Sequence, residues 1–176
     1  PNSNRWTLND RLIRQGIVLQ IDPDTTKPRL DIPMTDSLLT KVYHYSGLNE
    51  LDSYKDENNV GLTTTFPERF SELADAYKGI KDTTRALGVL WKSQSLMPYY
   101  HQTYIDLEDT YQQIGDSTMA DSVKALGIKN LEEAANTCPD IILYQQVLGV
   151  FYFHNNMLDQ ALKYYAKAYE LQPNNN

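Results

Sequence analysis

The sequence predicts an all-α superhelix of three helical hairpins, preceded by a small N-terminal α/β lead segment. Two observations carry this reading: a pattern of large and small residues recurs between residues 66 and 173, and helix start and stop signals keep the same register. The last copy is the clearest. With Pro173 as position 32, Leu148 falls at 7, Gly149 at 8, Tyr152 at 11, Ala161 at 20, Tyr165 at 24 and Ala168 at 27. Small residues at 8 and 20 let two antiparallel helices cross closely, and the aromatics at 11 and 24 fill the space beside the crossing. With Pro98 as position 32, Phe70, Leu73, Ala74, Tyr77, Ala86 and Leu90 fall at 4, 7, 8, 11, 20 and 24.

Residues 1–60 stand outside this register and form the lead segment, of short strands plus one helix; residues 61–176 form the repeat domain. The run from Arg11 to Ile21 is β-branched in its second half and ends in Asp22-Pro-Asp-Thr-Thr-Lys-Pro28, which suits a strand or two closing in a turn, after a brief helical stretch. Leu38, Leu39, Val42, Tyr43 and Tyr45 then read as an amphipathic helix stopping near Gly47, and Leu48 to Val60 as a polar loop. Thr65-Phe-Pro-Glu68 reads as a capping box with proline in the first turn.

In the middle copy Tyr104, Leu107, Tyr111 and Ala120 occupy 4, 7, 11 and 20, but Glu108 stands at 8 where a small residue is expected. Pro139 follows Pro98 by 41 residues, seven more than separate Pro139 from Pro173. Seven residues are about two helical turns, so the second helix of this repeat is expected to run on through Ala125 and Leu126 to about Ala135. Asp140 is placed to cap the next helix, and Gly79, Gly115 and Asn155-Asn156 mark turns inside the hairpins. The spacing resembles the tetratricopeptide repeat (TPR), a unit that buries its apolar face only by stacking, about three copies being the minimum. That resemblance implies a surface that holds partners rather than one that makes or breaks bonds.

Composition narrows the partner. Of 176 residues 41% are hydrophobic, and the net charge is −7. With no Lys/Arg cluster longer than a pair, nucleic acid is not an expected partner. The longest apolar run, Val147 to Phe153, is far shorter than the roughly 20 residues that span a bilayer, so this chain itself is not expected to insert. Without an initiating Met or a signal-like start, the sequence reads as a fragment of a longer protein. The single cysteine, Cys138, excludes an internal disulfide and reads as a small buried hydrophobe.

Catalytic chemistry finds little support. His44, His101 and His154 sit on separate segments at no metal-ligand spacing, so no metal site is expected. Neither a Gly-rich phosphate loop nor a Gly-x-Ser-x-Gly elbow occurs. Asp22-Pro-Asp24 superficially matches a metal-binding acidic pair but is read as a turn. No catalytic residue, metal or cofactor is assigned. Tyr77, Tyr111, Tyr152 and Tyr165 are claimed by the register as core, whereas Tyr99, Tyr100, Tyr144, Tyr164 and Tyr169 are not. Packing between repeats is the preferred reading of that second set, and stacking on sugar rings or a partner the rival one.

The same register assigns a concave groove to the first helix of each hairpin. Its partner-binding candidates are Asp75 and Lys78, then Ile105, Asp109 and Gln112, then Gln146, Val150, Phe153 and His154. The floor is polar and slightly acidic over two hairpins and apolar over the third, without the Lys/Asn/Arg clamp that grips a terminal carboxylate. A protein or peptide is the expected occupant, and the apolar end of the last hairpin is a candidate contact for a homodimer.

Four stretches together resemble a known family: Arg11-Leu-Ile-Arg-Gln-Gly-Ile-Val-Leu-Gln20, Tyr54-Lys-Asp-Glu-Asn-Asn-Val60, Phe70-Ser-Glu-Leu-Ala-Asp-Ala-Tyr77 and Arg85-Ala-Leu-Gly-Val-Leu90. In that order they resemble the region after the membrane spans in a family of bacterial membrane proteins with an uncharacterised conserved domain, similar to glycosyltransferases of the protein O-mannosyltransferase type. The resemblance implies a sugar-transferring membrane portion elsewhere in the parent, and a place for this region on the extracytoplasmic, periplasmic side. It makes no residue here catalytic; Arg11, Arg14, Asp56 and Glu57 are read as surface charges. The function expected is a non-catalytic interaction or scaffold region of such a protein, with its own membrane portion among the expected partners. The alternative is a freestanding TPR adaptor gripping a peptide in its groove.

Overall fold

The computed structural model describes residues 11–22, 24, 26, 28–51 and 64–172. Strands β1 (Leu12–Gln15) and β2 (Val18–Ile21) form an antiparallel hairpin, followed by helix α1 (Ile32–Ser37), which continues as a π-helical turn over Leu38–Val42. Six helices then pair as α2 (Thr65–Gly79) with α3 (Thr83–Leu96), α4 (His101–Gln113) with α5 (Ser117–Thr137), and α6 (Ile142–His154) with α7 (Leu158–Leu171). The molecule is the all-α superhelix of three hairpins that the register predicts. α2, α4 and α6 form one layer, and α3 and α5 each pack against the first helix of the next hairpin.

The length anomaly lies where the proline spacing puts it. α5 has 21 residues against 14 in α3 and α7, and the surplus extends its C-terminal end. The added turns bury Leu131, Ala134 and Ala135 fully, and the carbonyl of Ala135 accepts from Gln145 Nε2 at 2.9 Å. The prolongation thus fastens the third hairpin to the second.

Position 11 is a tyrosine in every repeat, and each phenol reaches back to the element before it. Tyr77 donates to Asp36 of α1 at 2.8 Å, Tyr111 accepts from Trp91 Nε1 of α3 at 2.9 Å, and Tyr152 donates to Glu132 of α5 at 2.6 Å. α1 therefore stands where the second helix of a preceding repeat would stand. Fully buried Leu39 and the ring of Tyr45, edge-on to Phe66 at 5.5 Å, complete the cover over the first hairpin. Thr35 ties α1 to the β-hairpin: its Oγ1 accepts from the Gly16 amide at 3.1 Å and donates to the Arg14 carbonyl. Gly16 turns the hairpin at φ +61, with the Tyr43 hydroxyl 2.6 Å from where a Cβ would be.

Several local expectations are corrected. The lead helix ends at Val42, because Tyr43 is extended (ψ 136); its ring tucks under Gly16, and His44 lies on no helix. The capping box at Thr65 is not made: Thr65 is already helical, the cap residue Thr64 makes no side-chain capping bond, and Glu68 pairs with Arg69 instead. Asp140 does not cap α6, whose cap residue is Ile141. Gly79 closes α2 rather than turning the chain; the left-handed residues are Lys81, Gly115 and Asn156, each one residue before a helix cap. Tyr165 is 36% exposed rather than core, whereas Tyr144 and Tyr164 are buried, in keeping with packing between helices. Cys138 is half-buried, its Sγ 3.7 Å from the Leu51 carbonyl, which brings the lead segment to the end of α5. The stretch Tyr54–Val60 and the proline at 173 lie outside the described residues.

The second helices of the first two hairpins are capped by Asp82 and Asp116, whose carboxylates accept from the amides of Arg85 (3.1 Å) and Met119 (3.0 Å). The third has Met157 in that place and no side-chain cap. Asp116→Ala is expected to cost the chain about 1 kcal/mol, a loss that thermal melts should register as a fall in Tm of roughly 2–4 °C.

Candidate partner-binding groove

The groove candidates lie on α2, α4 and α6, which form one layer. On α2 each cation is tucked beneath its carboxylate. Lys78 Nζ lies 2.7 Å from Asp75, with side-chain exposures of 23% and 68%, and Arg69 (13%) bridges Glu68 and Glu72. Arg14 reaches Glu72 from β1 at 2.8 Å. The lip therefore shows carboxylates to solvent. Between it and the β-hairpin opens a cavity of about 560 Å³ lined by Leu12, Arg14, Leu19, Leu30, Glu72 and Asp75.

α4 supplies the middle of the floor. Asp109 and Gln112 reach the surface, but Ile105 is 8% exposed and belongs to the core beneath rather than to the floor. His154 at the end of α6 brings Nε2 to 3.9 Å from Asp109 Oδ1, an ion pair when the imidazole is protonated. The third hairpin contributes exposed Gln146, half-buried Val150 and Phe153, 60% exposed. Of the candidates, Lys78 is held against Asp75, His154 and Asp109 are brought together, and Ile105 is buried.

Two titratable groups under this floor are out of balance with their surroundings. Glu108 is buried at position 8, its Oε1 within 3.4 Å of Gln112 Nε2 and its Oε2 without a partner. Desolvation raises its pKa, with His154 and Lys124 pulling the other way. Position 24 explains how the repeat tolerates it: Ala74 is matched by Leu90 and Gly149 by Tyr165, whereas Glu108 is matched by Lys124. His101 begins α4 against the Tyr100 ring, its Nδ1 buried and unpartnered. Burial first, and His154 second, lower its pKa to about 4. The register marked Glu108 as a break at position 8 but gave no sign that His101 would be buried.

Among the described residues no three His, Cys, Asp or Glu side chains could jointly hold a metal ion, and no helix is long and apolar enough to cross a membrane. Tyr99 is half-buried, edge-on to Tyr144 at 6.5 Å, and Tyr100 is half-buried with its phenol pushed up to about 12 by desolvation, so neither offers an open platform for a sugar ring.

Comparison with known proteins agrees with the repeat reading. Residues 143–175 match the tetratricopeptide repeat profile, covering α6 and α7. No curated protein sequence matches the chain. Solved structures similar to it include a crystal structure of MamA, at 23% identity over 66% of this chain and 69% of that one, TM-score 0.32. A second MamA crystal structure matches at 20% identity over 81% and 84%, TM-score 0.31, and a MamA RS-1 ArsTM double mutant at 18% over 66% and 83%, TM-score 0.29. The chain is a helical-repeat protein whose last hairpin matches the tetratricopeptide profile.

Proposed function

We propose that this chain is a non-catalytic scaffold that holds a segment of protein along α2, α4 and α6, as the extracytoplasmic region of a membrane glycosyltransferase-like protein. The observation that supports the scaffold reading is the tetratricopeptide match at 143–175, on a hairpin whose His154 reaches Asp109 of the hairpin before it. Repeats of this kind act through an extended concave surface. The membrane parentage and the periplasmic side rest on the sequence resemblance alone, and the division at residues 60/61 on where the repeat register stops. The parent's own membrane portion, or its acceptor protein, is the occupant that reading favours, and a second copy is the partner for the last hairpin.

Photo-crosslinking in cells making the parent protein tests it. A crosslinker at Asp109 or Gln146 is expected to capture a defined polypeptide, and one at Ser122 on the outer helix α5 to capture none. Equal capture from all three positions defeats the groove. A parent reading frame without upstream hydrophobic stretches of about 20 residues removes the membrane half of the reading and leaves the freestanding adaptor.

A further inference from the structure

The first and second helices of the hairpins differ in charge. α2, α4 and α6 together hold six carboxylates, Glu68, Glu72, Asp75, Asp106, Glu108 and Asp109, against two cations, Arg69 and Lys78. α3, α5 and α7 hold five carboxylates against six cations. Within the hairpins the excess of negative charge thus lies on the layer that carries the groove candidates.

The register sharpens this. With Phe70 and Tyr104 at position 4, positions 6 and 9 are acidic in both of the first two hairpins, as Glu72 and Asp75 on α2 and as Asp106 and Asp109 on α4. Three residues apart, the two members of each pair are neighbours on one helix face. The helices treat them differently. On α2 Glu72 is met by Arg14 and Arg69, and Asp75 by Lys78. On α4 no Lys or Arg among the described residues pairs with either carboxylate. Asp106 Oδ1 accepts from Gln102 Nε2 at 2.9 Å while its Oδ2 is buried without a partner, and Asp109 has His154 at 3.9 Å, an ion pair only when the ring is protonated.

Glu108 adds an independent sign of a missing cation. It is 6% exposed, its Oε2 has no hydrogen-bond partner, and Asp109 and His154 stand beside it, with Lys124 approaching from α5. The neighbouring Asn155 amide donates instead to the Phe151 carbonyl at 3.1 Å. Three carboxylates within four residues of α4 are therefore short of positive charge, and two of them hold a buried oxygen with nothing to accept from.

We infer that this stretch of α4 receives an arginine or lysine side chain from the bound protein segment, so that the partner is basic there. The scaffold reading above supplies the bound segment, and the charge on α4 supplies its chemistry. A bare metal ion does not serve, since among the described residues no three His, Cys, Asp or Glu side chains could hold one. An acidic or purely apolar segment would leave the buried oxygens of Asp106 and Glu108 unsatisfied, at the full cost of their desolvation. Arginine suits the place better than lysine, because its planar fork of five N–H donors can bridge Asp106 and Asp109 one turn apart.

Three fluorescein-labelled peptides of about ten residues test this, identical except that they carry arginine, citrulline or glutamate at the same positions, with the chain titrated into each and anisotropy followed. At about 50 mM salt the arginine peptide is expected to bind at least about tenfold more tightly than the citrulline one, and the glutamate peptide not to bind. Raising the salt to about 300 mM should weaken the arginine peptide several-fold. Asp109→Asn is expected to weaken it about fivefold, and Asp106→Asn added to Asp109→Asn to weaken it further, with helical circular dichroism unchanged. Asp121→Asn combined with Glu170→Gln, at exposed positions of α5 and α7, changes the net charge as much as that double variant and should leave binding within about a factor of two. No binding of the arginine peptide overturns the proposal, as does equal binding of the citrulline peptide. So does an equal loss in the α5/α7 variant, since the attraction would then be that of net charge alone. A segment crosslinked from Asp109 in cells that carries no Lys or Arg overturns it too and leaves the groove standing. Equal capture from all three crosslinker positions defeats the groove, while an Asp109→Asn loss with the arginine peptide still supports the cation site on α4.

Discussion

Gly127→Ala is expected to destabilise the protein by about 2 kcal/mol net, although alanine is the better helix former by about 1 kcal/mol. Gly127 lies inside α5, and an added Cβ would meet Phe151 Cζ at 2.7 Å, Phe151 Cε1 at 2.9 Å and Tyr104 Cγ at 3.0 Å. Neither ring can swing aside: both are fully buried, and they pack against each other at 6.0 Å. The methyl group therefore pushes the second and third hairpins apart. Gly149→Ala is the matched control. There the Cβ would meet only the Tyr165 ring, at 3.0 Å, and that ring is partly exposed and free to move outward. The gain in helix propensity offsets the contact, and stability should change by less than about 0.5 kcal/mol. Gly149→Leu, whose branches cannot be absorbed this way, should cost more than about 2 kcal/mol. Thermal melts of the three variants decide it; Gly127→Ala melting with Gly149→Ala would disprove the tight inter-hairpin contact.

That contrast shows what the residue order conveys and what it withholds. Position 27 was legible once, at Ala168, yet the structure requires it small three times. Ser93 is fully buried against Thr103, Gly127 is wedged between Tyr104 and Phe151, and Ala168 is buried. The signal was present, but a serine and a glycine are ordinary helix-surface residues, and only the neighbouring hairpin turns them into a requirement. The hairpins and the long α5 were readable because periodicity and proline spacing are local properties. Cap and turn assignments failed where two candidates stood within a few residues, as Gly79 did beside Lys81, because the choice depends on how the next helix docks. Exposure of most groove candidates was readable from the register, but Ile105 is buried, because burial is set by helix tilt, which a linear register does not encode.

Lowering the pH should weaken the fold through His101, and the sign follows from its environment. Its folded pKa, about 4, lies below the ordinary 6.5, because burial first and the neighbouring His154 second disfavour the imidazolium. Above pH 6.5 the ring is neutral in both states and contributes no pH dependence. Between about 6.5 and 4 the unfolded chain binds the proton and the folded chain does not, so stability falls with the pH, by about 3 kcal/mol at most. Below about 4 both states are protonated and the loss levels off. His101→Gln removes the titration, so the difference in stability between the two proteins should trace this window. Glu108 acts in the opposite sense. Burial raises its folded pKa, so its desolvation penalty is relieved as the pH falls towards the ordinary carboxylate value, and Glu108→Gln should remove that gain. Urea titrations at half-unit pH steps separate the two. Parallel curves for wild type and His101→Gln would mean that the imidazole at the start of α4 is solvated, and that the groove floor is looser there than its packing implies.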